Sequence, residues 1–109
     1  MKRIFICSPY SGDTPEQISK NVSVAKHACL FAIRKGHAPF APHLIYPLIL
    51  DDDVAQEREA GIDAGLEFLS VCDEVWVIGP RISRGMEKEI EYAKYIGIRR
   101  DYKSLKEIE

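Results

Sequence analysis

The feature that most constrains the fold is an alternation of short apolar runs with longer helical patterns. Residues 4–7 and Glu74–Ile78 are apolar runs of strand length, and loops of Gly, Pro and polar residues follow them. A further short run at 37–41 is closed by Pro42. Strands that alternate with helices pair in parallel through right-handed crossovers. We therefore expect an α/β domain built on a small parallel sheet.

The helical patterns have recognisable starts and stops. Thr14 supplies a capping hydroxyl before a proline at the first helical position, and Gly36 ends that helix. The remaining expected elements, in chain order, are a helix over about 54–71, the strand over 74–78, a helix over 86–96 ended by Gly97, an edge strand over 98–100 and a short terminal helix over 102–109.

Length and charge restrict the class of protein. The chain has 109 residues, the usual length of one domain, so we expect residues 1–109 to form a single domain. A formal net charge of −2 provides no positive surface for nucleic acid or for an anionic membrane. The N-terminal residues 1–3 lead directly into the first strand, which is too short for a signal-peptide core. We predict a cytoplasmic protein with no nucleic-acid and no membrane partner.

Cysteine and histidine spacing predicts no metal site. Cys7, Cys29 and Cys72 are odd in number and far apart in apolar segments, which favours buried, reduced thiols. None of the cysteines or histidines has metal-ligand spacing. We expect no metal and no other cofactor.

The expected sheet also predicts where a ligand binds. Ligands of open parallel sheets bind outside the carboxyl ends of the strands, which brings loops 8–13, 42–53 and 79–89 to one edge. There Ser83, Gly85 and Glu89 surround a helix start, whose free N–H groups can hold an anion. The plainer alternative is a solvated helix face with Ser83 as a simple cap. His43 is similarly open to two interpretations, a contact to a base or phosphate and a loop histidine bonded to backbone.

Five segments of the chain resemble the nucleoside 2-deoxyribosyltransferase superfamily, and within it the small phage and bacterial branch called domain of unknown function 4406. These segments are 4–12, 39–44, 72–77, 83–86 and 89–93. The resemblance implies a flavodoxin-like or Rossmann-like three-layer sandwich with a parallel sheet of four or five strands. It also implies a homo-oligomer with a small-molecule nucleotide or nucleoside as its ligand.

The same resemblance implies a reaction at C1′ of a ribosyl or deoxyribosyl group. Glu89, in a Gly-x-x-x-Glu setting, matches the nucleophile of the transferases. A carboxylate suits this role because it stabilises an oxocarbenium-like transition state and forms a glycosyl ester that water or another base can open. Ser83 stands where the transferases carry Asp, and in this it is similar to the deoxynucleoside 5′-monophosphate N-glycosidases, whose Ser contacts the phosphate. The implied substrate-binding residues are Ser8, Tyr10, Ser11, Gly12, His43, Ser83, Gly85 and Met86.

Several positions depart from the pattern of the superfamily. Phe5 replaces the tyrosine that steadies the nucleophile, Glu91 stands where the transferases usually have Gly, and Gly65 stands where they have an acid. Asp63 is one of the nearest carboxylates and is our second catalytic candidate. We therefore expect an N-glycosidic bond hydrolase or deoxyribosyltransferase acting on a nucleoside or its 5′-monophosphate. A non-catalytic nucleotide-binding module of the same fold is the alternative.

Overall fold

The computed structural model describes residues 1–109 and contains four strands and three α-helices. In chain order these are β1 (Arg3–Cys7), α1 (Pro15–Arg34), β2 (Ala38–Phe40), α2 (Ala55–Leu69), β3 (Glu74–Ile78), α3 (Arg84–Ile96) and β4 (Arg99–Lys103). Two single-turn 3-10 helices, Pro42–Leu44 and Tyr46–Leu48, lie between β2 and α2.

The four strands form one parallel sheet in the order β2-β1-β3-β4. The chain leaves β1 through α1 to reach β2 on one side, and later reaches β3 on the other side through α2. The direction of winding therefore reverses between β1 and β3. A reversal of this kind opens a crevice at the carboxyl ends of the two central strands, where open α/β sheets bind their ligands.

Alternation along the strands produces two separate cores, one on each face of the sheet. Ile4 and Ile6 of β1 pack with Ala28 and Ala32 of α1. Phe5 and Cys7 point to the opposite face, because side chains of a strand alternate. The residues that complete this second core come from α2, β3 and α3: Leu69, Val75, Val77, Met86, Ile90 and Ala93. The three-layer α/β sandwich with a four-stranded parallel sheet is thus confirmed.

The helix ends follow the sequence signals closely. Thr14 Oγ1 accepts a hydrogen bond from the Gln17 amide at 3.2 Å, and Gly97 closes α3 in the left-handed conformation with φ of 80°. Ser83 caps α3, so this helix begins two residues before the expected Met86.

The expected terminal helix over 102–109 is wrong. Tyr102 and Lys103 extend β4, which pairs with β3 along its whole length, and turns follow. Pairing with a hydrophobic neighbouring strand satisfies backbone groups that a short, isolated helix would leave exposed. Beyond the strand, Ile108 is buried against the α1 face of the sheet.

All three cysteines are free thiols, as expected, but only Cys7 is fully buried. Cys29 and Cys72 are partly exposed. None of the helices combines the length and the apolar character that crossing a membrane requires.

Candidate active site

A pocket of about 460 Å³ opens at the carboxyl ends of the strands. Its walls come from the loop after β1, the segment between β2 and α2, the first turns of α2 and the start of α3. Six of the sequence-predicted site residues line it: Tyr10, Ser11, His43, Ser83, Gly85 and Glu89. Segments that are far apart in the chain are thus brought together around one cavity.

Four other predicted site residues do not line the pocket. Ser8 and Met86 are almost completely buried, at 1% exposure each. Gly12 packs against the first turn of α1, where an added Cβ would lie 2.6 Å from Gln17 Cβ. Asp63 lies exposed on α2, whose pocket-facing residues include its neighbour Ile62. The structure therefore does not bring Asp63 to Glu89.

Glu89 is the most unusual group in the pocket. It lies in the second turn of α3, and its Oε1 is buried without a hydrogen-bond partner. Burial raises the pKa of Glu89 to about 8, and the neighbouring Cys7 thiol offsets only part of that rise. A buried carboxyl without a compensating partner costs stability, which makes Glu89 a candidate for a functional group.

The raised pKa predicts that Glu89→Gln stabilises the protein at neutral pH. In the native state Glu89 holds a proton that the unfolded chain, with a pKa near 4.5, releases. The free energy of unfolding therefore falls as pH rises from about 4.5 to about 8. Gln does not ionise, so the variant should exceed wild type by about 2–3 kcal/mol at pH 7, on the order of 10 °C in melting temperature.

Thermal unfolding at pH 4 and pH 7 measures this difference, which should nearly vanish at pH 4. Glu91→Gln is the matched control on the same helix. Glu91 is exposed and pairs with Lys94 at 3.5 Å, a surface contact of small energetic value. A Glu89→Gln variant no more stable than wild type at pH 7 would show that Glu89 is ionised in the folded protein.

The start of α3 offers donors for an anion. Ser83 Oγ accepts from the Met86 amide at 3.3 Å, and the Glu87 amide bonds the Ser83 carbonyl. Met86 thus has no free amide for a ligand, contrary to the expectation. The amides of Arg84 and Gly85 occupy the first two helical positions, where no helix bond is available. A Cβ added to Gly85 would meet nothing within 4 Å, so space for a ligand is open beside these amides.

Charged side chains of both signs surround this opening. Arg84 and Lys88 of α3 and Arg58 of α2 line the pocket. Arg58 Nη1 donates to the Asp52 carbonyl at 3.3 Å, which holds its guanidinium beside the cavity. The carboxylate of Glu57 is already engaged by the Asp51 amide at 2.9 Å. The pocket thus has three cationic side chains and three acidic ones, Asp52, Glu57 and Glu89. The free first-turn amides, with Arg84 on the same turn, are where an anionic group of a ligand is best accommodated.

Aromatic rings form the wall near loop 8–13. Tyr10 and His43 pack with ring centroids 5.3 Å apart, and Tyr46 also lines the pocket. Asn21 of α1 fixes this loop by donating to the carbonyl oxygens of Tyr10 and Ser11. Burial lowers the pKa of His43, although the Ser8 carbonyl and the Asp52 carboxylate oppose the change. A neutral imidazole beside tyrosine rings suits a planar, uncharged ligand group better than a phosphate.

Comparison with known proteins assigns the chain to a family. Residues 2–103 match the family described as Domain of unknown function (DUF7768). The chain belongs to this family. The matching family therefore differs from the expected one, domain of unknown function 4406. No curated protein matches the chain.

The fold is similar to that of a solved 2-deoxyribosyltransferase from the psychrotolerant bacterium Bacillus psychrosaccharolyticus. The TM-score is 0.73 and the sequence identity 17%, over 94% of this chain and 72% of that one. That enzyme is described as a biocatalyst for the synthesis of nucleosides. This likeness shows that the chain has an α/β fold like that of the solved transferase, as the family resemblance implied.

Sequence reasoning missed Tyr46 and Arg58. Tyr46 lies in the irregular segment after β2, and Arg58 lies in the first turn of α2. For Tyr46 the one available signal was the rule that places loop 42–53 at the ligand edge of the sheet. Arg58 had no signal, because it lies on α2 and no motif distinguishes it from an ordinary surface position.

Proposed function

We propose that the protein cleaves the N-glycosidic bond of a nucleoside or a nucleoside 5′-monophosphate, with Glu89 as the nucleophile. The observation that carries the proposal is the Glu89 carboxyl itself, which lines the pocket with one buried oxygen left unpartnered. The resemblance of the Gly85–Glu89 spacing to the transferase motif and the transferase-like fold support it.

The chemistry follows that of a retaining glycosidase. The Glu89 carboxylate attacks C1′, the bond from C1′ to the base nitrogen breaks, and the base leaves with the bonding electron pair and takes up a proton. Water or another base then opens the glycosyl ester, which gives hydrolysis or transfer respectively. Burial makes the ionised Glu89 carboxylate poorly solvated and therefore reactive. Burial also keeps Glu89 protonated in most molecules at neutral pH.

A substrate bound in this way would place its 5′-phosphate at the start of α3. The donors there are the backbone amides of Arg84 and Gly85, the Ser83 hydroxyl and the Arg84 guanidinium. The base would lie towards Tyr10, His43 and Tyr46, whose rings offer stacking surfaces. A preference for monophosphates over nucleosides is therefore part of the proposal.

A nucleotide-binding module without catalysis is the second candidate. The exposed position of Asp63, outside the pocket, favours it, since no carboxylate near residue 65 then reaches the leaving base. The absence of a hydroxyl on Phe5, which is buried in the core, favours it as well. This candidate predicts nucleotide binding with no release of base.

Incubation with nucleosides and nucleoside 5′-monophosphates, followed by chromatography for free base, separates the two candidates. We expect base release from at least one monophosphate, faster at pH 9 than at pH 7, because ionised Glu89 is the reactive form. Adding a second free base tests transfer against hydrolysis in the same assay. Binding without release at either pH would favour the module.

We also infer that the protein is a cytoplasmic homo-oligomer. The homo-oligomer follows from the family resemblance, and a subunit interface would cover some of the exposed apolar side chains. The most exposed of those between β2 and β3 are Leu48, Ile49, Phe68 and Val71. The three free cysteines agree with a reducing compartment.

A further inference from the structure

We propose that the protein binds a small organic phosphate in a groove outside the candidate active site, on the α1 face of β3 and β4. The groove has a volume of about 400 Å³. It reaches the amino ends of the strands, where Lys2, His37, Glu74 and Arg99 lie, whereas the pocket around Glu89 opens at the carboxyl ends. The two cavities share no lining residue, so this inference is independent of the proposed function.

The groove exists because the two faces of the sheet are covered unequally. Both α2 and α3 pack on one face, whereas α1 alone packs on the other, where it lies against β1 and β2. An α-helix about 10 Å across covers roughly two strands that are about 4.8 Å apart. The β3–β4 half of the α1 face is therefore lined by strand side chains, among them the register neighbours Trp76 and Asp101.

The acidic groups of the groove are all paired within the protein. They are Glu74, Asp101 and Glu107. Glu74 is buried, and its two oxygens accept hydrogen bonds from Trp76 Nε1 at 3.2 Å and from the Lys2 ammonium. Lys103 Nζ lies 3.2 and 3.4 Å from the other two carboxylates. With four cationic side chains against three acids, the groove has a net charge of +1 before a ligand binds.

Three donors of the groove have no partner. Lys35, at the end of α1, and Arg99, the first residue of β4, form no ion pair. The Lys2 amide donates to His37 Nδ1 at 3.4 Å, so the neutral ring carries its proton on Nε2, where no acceptor lies. An ammonium, a guanidinium and an imidazole N–H around one groove favour a dianion such as a phosphate, because charge-assisted hydrogen bonds are the strong ones.

The remaining lining favours a small organic molecule over a second copy of the chain. Phe31 and Trp76 are the apolar side chains of the groove, with ring centroids 5.8 Å apart. Trp76 is only 4% exposed, so Phe31 provides the ring surface for the organic part of the ligand. Subunit interfaces have an apolar core depleted in charge, which this groove lacks. Its volume lies in the range of small-molecule pockets.

Trp76 is the only tryptophan of the chain, so its fluorescence reports on this groove. We expect a saturable change on titration with phenyl phosphate at constant ionic strength, and weaker binding of inorganic phosphate, which lacks the organic group. Arg99→Gln and Lys35→Gln should each weaken phenyl phosphate by about tenfold or more, the usual value of a hydrogen bond to a charged group. NMR shifts of the backbone amides of residues 35–37 and 99 give a second measurement of binding at this place.

Arg100→Gln is the matched control for charge. Arg100 follows Arg99 on β4, and because strand side chains alternate it lies on the other face, outside the groove. This variant should keep the affinity, and so should Ser83→Asp, which changes only the candidate active site. Equal weakening by Arg100→Gln would show a general attraction of charge and overturn the proposal. Inorganic phosphate binding as tightly as phenyl phosphate would overturn the organic ligand.

Two further outcomes would also overturn the proposed site. Amide shifts confined to residues 83–85 would place the phosphate in the candidate active site alone. Trp76 fluorescence that changes with protein concentration and not with phenyl phosphate would assign the groove to a second copy of the chain. Failure of the protein to release base from any nucleotide would reject the proposed function and leave binding in this groove unaffected.

Discussion

Glu89→Gln is expected to abolish base release from nucleotides while leaving the fold and nucleotide binding intact. The amide keeps the shape and burial of the carboxyl but cannot form a glycosyl ester at C1′. Loss of a covalent nucleophile lowers kcat by about a thousandfold or more in enzymes that depend on one. The same substitution removes the cost of protonating a buried carboxyl on folding at neutral pH, so the inactive variant should be the more stable protein.

The experiment compares Glu89→Gln with Glu91→Gln, two residues along the same helix. Glu91 is exposed outside the pocket, so its variant should keep wild-type turnover. Acid-quenched wild-type protein should carry a glycosyl adduct on the peptide that contains Glu89, detected by mass spectrometry, and Glu89→Gln should carry none. Wild-type turnover by Glu89→Gln would rule out the covalent mechanism.

If Glu89→Gln lowered both the activity and the melting temperature, Glu89 would have a structural role. The carboxyl would then support α3, and its loss would disturb the pocket. The buried, unpartnered Oε1 argues against this, because a structural carboxylate normally has its oxygens bonded. Measuring activity and melting temperature on the same variant therefore separates chemistry from packing.

The strands and helices could be predicted where the sequence pattern and the tertiary environment agree. Glu74–Ile78 forms the expected strand with the expected bounds, because a strand buried on both faces reads as one continuous apolar run. The secondary structure of the polar residues after Gly97 was predicted wrongly. Their pattern favours a short edge strand and a helix, but β3 provides a pairing partner for five residues, and Tyr102 joins the sheet.

The position of the pocket at the carboxyl ends of the strands was predictable, and the residues that line it were less so. Glu89 and Ser83 follow from helix spacing and from the family resemblance, and both line the pocket. Ser8 and Gly12 carry the same turn signal as Tyr10 and Ser11. Which of them faces the cavity depends on the loop conformation, which the chain fixes through Asn21 of α1 and close packing against Gln17.

The second large effect is expected from Ser83→Asp, which should weaken binding of nucleoside monophosphates and spare nucleosides. Ser83 caps α3, and Asp is an equally good cap, so the helix should remain intact. The new carboxylate would stand next to the free amides of Arg84 and Gly85, where the phosphate is proposed to bind. Two unit charges about 4 Å apart repel by roughly 4 kcal/mol at an effective dielectric of 20, a loss of several hundredfold in affinity. A free 5′-hydroxyl can instead donate to the carboxylate.

Ser83→Asn provides the matched control, because Asn has the shape of Asp, also caps helices and carries no charge. Binding of a monophosphate and its nucleoside should be measured by calorimetry for wild type and both variants. Charge repulsion predicts a large loss for the monophosphate with Asp alone, and a small change for both ligands with Asn. Equal losses with Asp and Asn would assign the effect to size at the start of α3. Unchanged monophosphate affinity with Asp would place the phosphate elsewhere in the pocket, beyond the reach of Ser83.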